Sequence, residues 1–301
     1  MLPMPTLLGP AAAGYPPGLR DLPSPPTLHL VGSVTEADAL AIAIVGSRRA
    51  SAYGVEVAER LAADLAARGV TIVSGLARGV DAAAHRGALD AGGRTLAVLG
   101  SGVDVVYPAE NRALAAAVAR SGALLSQFAA GTRPLAQNFP PRNRTLAALA
   151  LGVVVVEAAE RSGALITAEH AADLGREVYA IPGKITSATS AGCHRLIIEG
   201  AKLVRHWSDV VQELPERWRR LVRDVSTPGG AATRPGSGTD EARMLDLLSV
   251  DEPWHIERLI ETAGLSPGRA GAILIALELA GWARHLGGQR WVATGPRARR
   301  A

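Results

Sequence analysis

The sequence predicts an α/β fold, a doubly wound, mostly parallel sheet followed by a small C-terminal helical domain. Three observations carry this expectation. From Ala41 onward, short β-branched runs alternate with alanine-rich amphipathic stretches, at the spacing of parallel strand–helix–strand units. The strands are continuous apolar runs, as expected where helices cover both faces of a sheet. After STPGGAATRPGSGT, residues 226–239, the pattern changes to three short helices and a hairpin.

Taken in order, the series reads ALAIAIVG, a helix over 55–68, TIVSG, a helix from Asp81, TLAVLG and a helix from Ala109. It continues through ALLSQF, a helix over 143–151, GVVVVEA, a helix from Ala164, EVYAIPG, a helix over 192–199, and AKLVRH. About seven strands result, and the ligand crevice of such a sheet lies beyond the strand C-termini. Residues 1–39 are proline-rich and hold no obvious domain, so they are expected to wrap the core. The sheet domain should occupy 40–214, a basic segment and linker 215–239, the small domain 240–293 and a basic tail 294–301. In the small domain DEARMLDLLS and HIERLIETAG read as helices, and Ser266 caps a third whose first residue is Pro267. WARHLGGQRWVA follows as a hairpin on a Gly-Gly turn, which completes a winged helix-turn-helix.

A chain of 301 residues with 48% hydrophobic content can bury a sizeable core. No apolar run approaches the ~20 residues that cross a bilayer, and the first residues lack a basic start, so a cytoplasmic protein without membrane partners is expected. The one cysteine, Cys193, permits no internal disulfide and agrees with a reducing compartment. Lys and Arg total 32 against 28 Asp and Glu, with a pI near 9.7, which suggests nucleic acid. Only Lys184 and Lys202 are lysines; the arginine excess suits bidentate phosphate binding but equally follows from a compositional bias that also inflates alanine.

The polar turns that end the strands converge on one edge. In GSRRASAYG, Gly46 and Ser47 leave room for a phosphate at a helix start. Arg48 and Arg49 add two guanidinium groups, which suits a polymer with a charge on every nucleotide better than a single pyrophosphate. Pairing of either arginine with a carboxylate at the sheet edge is the competing reading. SGLARGVDAAAH repeats the logic with Arg78 between Gly75 and Gly79, and Asp81 reads as the helix cap. In NFPPRNR, Phe139 stands in a loop beside Arg142, Asn143 and Arg144, where an aromatic can stack an unpaired base while guanidinium groups hold phosphates. Core packing would serve Phe139 equally well. Gly163 opens a further helix and makes a second anion cradle, although Glu157 and Glu160 would oppose a purely electrostatic groove.

These segments, with GVDVVYPAENR, VVVVEAAERSGALITA, GREVYAIPG and LIIEGAKLV in the same order, resemble the DNA-processing protein A family, also called DprA or Smf. The resemblance covers roughly residues 15–214. It implies an extended Rossmann domain that binds single-stranded DNA in a basic pocket, forms a homodimer and loads RecA onto incoming DNA during natural transformation. Carried onto this chain, the pocket would use Ser47, Arg48, Arg49, Phe139, Arg142, Asn143, Arg144 and Lys184, and the dimer surface would fall near LIIEGAKLVRHW. The C-terminal winged helix is similar to the domain many members append. Two departures stand out: the N-terminal helical domain of many relatives has no counterpart here, and SAGCHRLI puts Cys193 and His194 where the family more often shows a Gly-Thr-Asn type of sequence. Neighbours on a helix point in different directions, which argues against a nucleophile there.

No catalytic residue, cofactor or metal is expected. Two alternatives remain open: a nucleoside-monophosphate phosphoribohydrolase using Gly163, Thr167 and Glu169, and a duplex DNA regulator reading through the third winged-helix helix, where Arg269 is the basic candidate.

Overall fold

The computed structural model describes residues 4–223, 235–249, 252–280, 282–286 and 288–294. They fall into two compact units, one within 1–224 and one within 225–301. Most of the expected linker, 224–234, and the tail from 295 lie outside the described residues.

The first unit contains strands β1 (Thr6–Leu8), β2 (Leu28–Gly32), β3 (Ala41–Val45), β4 (Thr71–Ser74), β5 (Thr95–Val98), β6 (Ala123–Ser126), β7 (Gly152–Val155), β8 (Glu177–Ala180) and β9 (Lys202–Leu203). Its helices are α1 (Ala52–Ala67), α2 (Val80–Asp90), α3 (Arg112–Ser121), α4 (Phe139–Leu149), α5 (Gly163–Asp173), α6 (Ala191–Ile198), α7 (Trp207–Gln212) and α8 (Glu216–Arg219). The sheet order is β1-β2-β6-β5-β4-β3-β7-β8-β9, with β3 to β9 all parallel. From β3 the chain steps outward through β4, β5 and β6, then returns to the other side of β3 as β7. That reversal opens a crevice between the C-terminal ends of β3 and β7.

Alternation along β3 shows why both faces are covered. Ile42 and Ile44 pack with α1 and α2, while Ala41, Ala43 and Val45 pack with α4 and α5. All five are buried, and each of the two isoleucines contributes about 1.5–3 kcal/mol by leaving water.

The N-terminal segment does more than wrap the core. β2 pairs antiparallel with β6 and β1 with β2, so the sheet has nine strands, not seven. Tyr15, Leu19 and Leu28 are buried in the same cluster as the strands. A second difference is local: α4 begins at Phe139, so Phe139 opens a helix and Pro140 and Pro141 occupy its first turn instead of a loop. Proline is tolerated there because those N–H groups have no helical partner.

The second unit is a winged helix, built from α9 (Asp240–Leu247), β10 (Trp254–His255), α10 (Ile256–Ala263), α11 (Pro267–Leu279), β11 (Ala283–His285) and β12 (Arg290–Ala293). Ser266 caps α11, its Oγ accepting from Arg269 N at 3.4 Å. The strand order β10-β12-β11 adds a short third strand to the expected hairpin.

Candidate nucleic-acid interface

The turn after β3 is shaped by its neighbour after β4. Gly79 has φ +70°, and a Cβ there would lie 2.2 Å from the Ser47 carbonyl oxygen. That oxygen accepts from Val80 N at 3.2 Å, so the second turn buttresses the first. Ser47 Oγ accepts from Arg49 N at 3.1 Å, which holds the turn while both arginine side chains stand exposed. Gly46 is packed, not open: a Cβ would meet Val80 and the Glu157 carbonyl oxygen within 3 Å.

Phe139 stands half-buried at the mouth of the crevice. The Arg48 guanidinium lies 5.0 Å from its ring centroid, that of Arg142 5.5 Å, and the Tyr107 ring 6.4 Å at a tilt of 51°. Phe139, Arg48, Arg49 and Arg142 together separate two hollows. One, of about 550 Å³, runs over Gly46, Ser47, Asn143 and the start of α5 at Gly163. The other, of about 180 Å³, is walled by Arg78, Gly100, Ser101, Tyr107 and Pro134. A helix N-terminus thus opens into the larger hollow beside two exposed guanidinium groups, an arrangement suited to anions. Ser162 caps α5, its Oγ accepting from Ala164 N at 3.3 Å.

Beneath the surface lies a buried polar frame. Arg142 donates from Nη1 to the Gly75 and Val98 carbonyls at 2.8 and 2.6 Å, and from Nε to Asn143 Oδ1 at 3.1 Å. Asn143 in turn donates to the Gly163 carbonyl at 3.3 Å. One arginine therefore ties α4 to the ends of β4 and β5, and one asparagine ties α4 to α5. Burial pulls the Arg142 guanidinium down to about 10, against the attraction of Asp81, and burial pushes the Asp81 carboxyl up. Gly75 permits this contact, since a Cβ there would lie 2.6 Å from Arg142 Nη1 and 2.7 Å from Asp81 Oδ2.

A family model for DNA recombination-mediator protein A matches residues 6–215, and one for the DprA winged helix domain matches residues 228–289. The chain belongs to the DNA recombination-mediator protein A family. It is 43% identical over 256 residues to the putative DNA processing protein DprA of Mycobacterium tuberculosis, 83% of this chain and 64% of that one. It therefore spans about two thirds of that relative's length. Identity to Protein Smf of Escherichia coli is 39% over 272 residues, 89% of this chain and 72% of the other. Among solved structures it is similar to DprA of Streptococcus pneumoniae, with TM-score 0.67, 42% identity and coverage of 70% and 74% of the two chains. It is also similar to DNA processing protein A of Helicobacter pylori, with TM-score 0.62, 28% identity and coverage of 69% and 94%. That structure is described as giving insight into a unique single-stranded DNA binding mode.

Against this family background the sequence-derived residues sort by exposure. Gly46, Ser47, Arg48, Arg49, Phe139, Arg142, Asn143 and Gly163 all line the larger hollow. Arg142 and Asn143 are buried and committed to the frame, so their part is to position Phe139 and α5. Arg78 lines the smaller hollow, but its guanidinium forms a two-point ion pair with Glu110 at 2.7 Å. Arg144 and Lys184 are exposed and stand outside both linings, on α4 and in the turn after β8.

Two carboxylates behave differently from their sequence reading. Gly79, not Asp81, is the cap residue of α2; Asp81 reaches back to accept from Gly75 N and Ala77 N at 3.2 and 3.4 Å. Glu157 is buried and accepts from Ser51 N and Oγ at 2.9 and 2.6 Å, so it pins the end of β7 to the start of α1 and stands outside both linings. Tyr107 and Pro134 escaped the sequence reading. Tyr107 lies in GVDVVYPAENR, where its immediate neighbours Val106 and Pro108 carry no charge to mark it.

Proposed function

We propose that this protein binds single-stranded DNA along the C-terminal edge of its sheet, as a homodimer, and delivers the strand to the RecA recombinase. The observation that carries the reading is the Arg48–Phe139 pair standing over a hollow that ends on the N-terminus of α5. A base stacks on Phe139, phosphates lie on Ser47, Arg48, Arg49 and Gly163, and Arg144 and Lys184 extend the track on either side. The family name, which describes a recombination mediator, and the single-strand description of the Helicobacter pylori relative support it. Exposed Ile198 and Leu203 beside the edge strand β9 support a dimer surface there.

The phosphoribohydrolase reading gains nothing from the geometry: Thr167 is buried in the hollow's wall, and Glu169 is exposed outside its lining. Fluorescence anisotropy with oligo-dT and with duplex at two salt concentrations tests the proposal. Preference for the single strand is expected, with log K falling by about 0.7 per phosphate neutralised. Replacing Arg48 and Arg49 by alanine should weaken binding and lower the slope by about 1.4. Equal affinity of wild type and double variant at low salt would reject the reading.

A further inference from the structure

A third hollow, of about 500 Å³, lies at the opposite edge of the sheet, where the strands begin. Its walls include Asp38 and Ala39 before β3, Leu96 in β5, Leu149 before β7 and Arg176 before β8. A strand of four or five residues is about 13–17 Å long, so this hollow and the cleft are separate surfaces. The proline-rich arm supplies Tyr15 and Arg20 on one side, and α8 supplies Arg217 and Trp218 on the other. Trp218 and Val222 pack against the core, and Arg223 N donates to the Arg68 carbonyl at 2.9 Å. The basic stretch 215–223 is therefore pinned to this edge.

Its chemistry is that of the cleft, assembled from different residues. The Arg217 guanidinium lies 5.4 Å from the Trp218 ring centroid and that of Arg20 5.9 Å from Tyr15. Nearby carboxylates are already held: Asp21 by Arg176, Asp38 by Arg94 and Glu216 by Arg220. Among the described residues no carboxylate pairs with Arg20, Arg217, Arg219 or Arg223; Glu36 alone of the lining carboxylates lacks an arginine. Two N–H groups of the lining, Arg176 Nε and Trp218 Nε1, are buried and meet no acceptor.

We propose that this edge is a second contact for unpaired nucleic acid, with phosphates on Arg20, Arg217, Arg219 and Arg223 and a base entering the hollow beside Trp218. An acidic protein would satisfy the charges but would not need guanidinium groups laid on aromatic rings around a hollow of nucleotide size. A duplex keeps its bases inside and could not fill it. The consequence is that one molecule grips two stretches of strand, on opposite edges of one sheet.

Photo-crosslinking of the full chain to oligo-dT carrying 5-iodouracil reads the two surfaces separately, because Phe139 reports the cleft and Trp218 the far edge. Crosslinks at both are expected. Replacing Arg217, Arg219 and Arg223 by alanine should remove the Trp218 crosslink, leave that at Phe139, and reduce short oligo-dT bound per chain at low salt from two to one. The proposal is overturned by crosslinks confined to Phe139, by a Trp218 crosslink that survives the triple substitution, or by protection of this edge by polyglutamate and not by oligo-dT. A crosslink at Trp218 without one at Phe139 would sustain it and sink the cleft reading instead.

Discussion

Arg142 and Arg144 stand two residues apart on α4 and do opposite work. Arg142 is buried with three hydrogen bonds, so Arg142→Met would leave two carbonyl groups without their donor and take from the Asp81 carboxyl the cation that attracts it most. A loss of about 3–5 kcal/mol in urea unfolding is expected, with oligo-dT binding lost as a consequence. Arg144→Ala, on an exposed residue, should change stability by less than about 0.5 kcal/mol. Phe139→Ala should weaken oligo-dT by about 1–3 kcal/mol, the worth of one stacked base, with the salt slope unchanged because no phosphate contact is removed. A changed slope would show Phe139 acting through Arg48. His85 gives a residue-scale dependence on pH. Its Nδ1 lies 2.7 Å from Thr95 Oγ1, whose hydrogen goes to the Ile72 carbonyl, so Nδ1 donates, and the buried Nε2 has no partner among the described residues. Burial lowers the imidazole to about 3 from 6.5. The unfolded chain therefore takes the proton first as pH falls, and stability is lost between about 6.5 and 3. From this group alone the loss at pH 5 is about 2 kcal/mol. Urea midpoints at pH 7.5 and 5 should separate by less in His85→Leu than in wild type; equal separations would place the proton elsewhere.

Elements decide which of these side chains meet. Seven parallel strands were legible because each is a continuous apolar run with a polar turn at its end, and those turns supplied the cleft residues. β1 and β2 were not, since TLL and LHLVG are short runs amid prolines; β2 owes its place to β6, a partner some hundred residues away, and β1 is added to β2. The same blindness to distance hid the split among the arginines. NFPPRNR reads as one basic loop, yet the helical period turns Arg142 inward and Arg144 outward. Arg78 looked as available as Arg48 until Glu110, 32 residues on, came to meet it. Two glycines test the element-level account by different routes. Gly79→Ala combines an unfavourable φ with a Cβ 2.2 Å from the Ser47 carbonyl, so a loss of about 1–3 kcal/mol and weaker oligo-dT binding are expected together. Gly163 meets nothing within 4 Å of an added Cβ, so Gly163→Ala should unfold as wild type does. It should nonetheless bind oligo-dT less tightly, because the methyl group obstructs a phosphate approaching α5. Unaltered binding would remove α5 from the track.

At the scale of the whole chain, charge is unevenly spread, and the winged-helix segment is acidic. Between residues 240 and 293 carboxylates outnumber guanidinium groups by eight to five, although the chain as a whole is +4. Arg269, the basic candidate for base reading on α11, lies 3.4 Å from Asp240 and 3.8 Å from Glu241. The exposed positions that follow it, Ala272, Ile275 and Ala276, offer no donors to a groove. Duplex recognition through a major-groove helix needs basic and amide side chains that reach base edges, and this helix offers only Arg269, already held by two carboxylates. The first unit has its own closed core, so a fragment ending at Arg223 should fold and retain nearly the full affinity and salt slope for oligo-dT. A fragment from Pro235 onward should bind neither oligo-dT nor duplex at moderate salt. Anisotropy titrations of the two fragments beside the full chain decide the matter: loss of most binding from the first fragment, or duplex binding by the second, would move the DNA-reading surface from the Rossmann crevice to the winged helix.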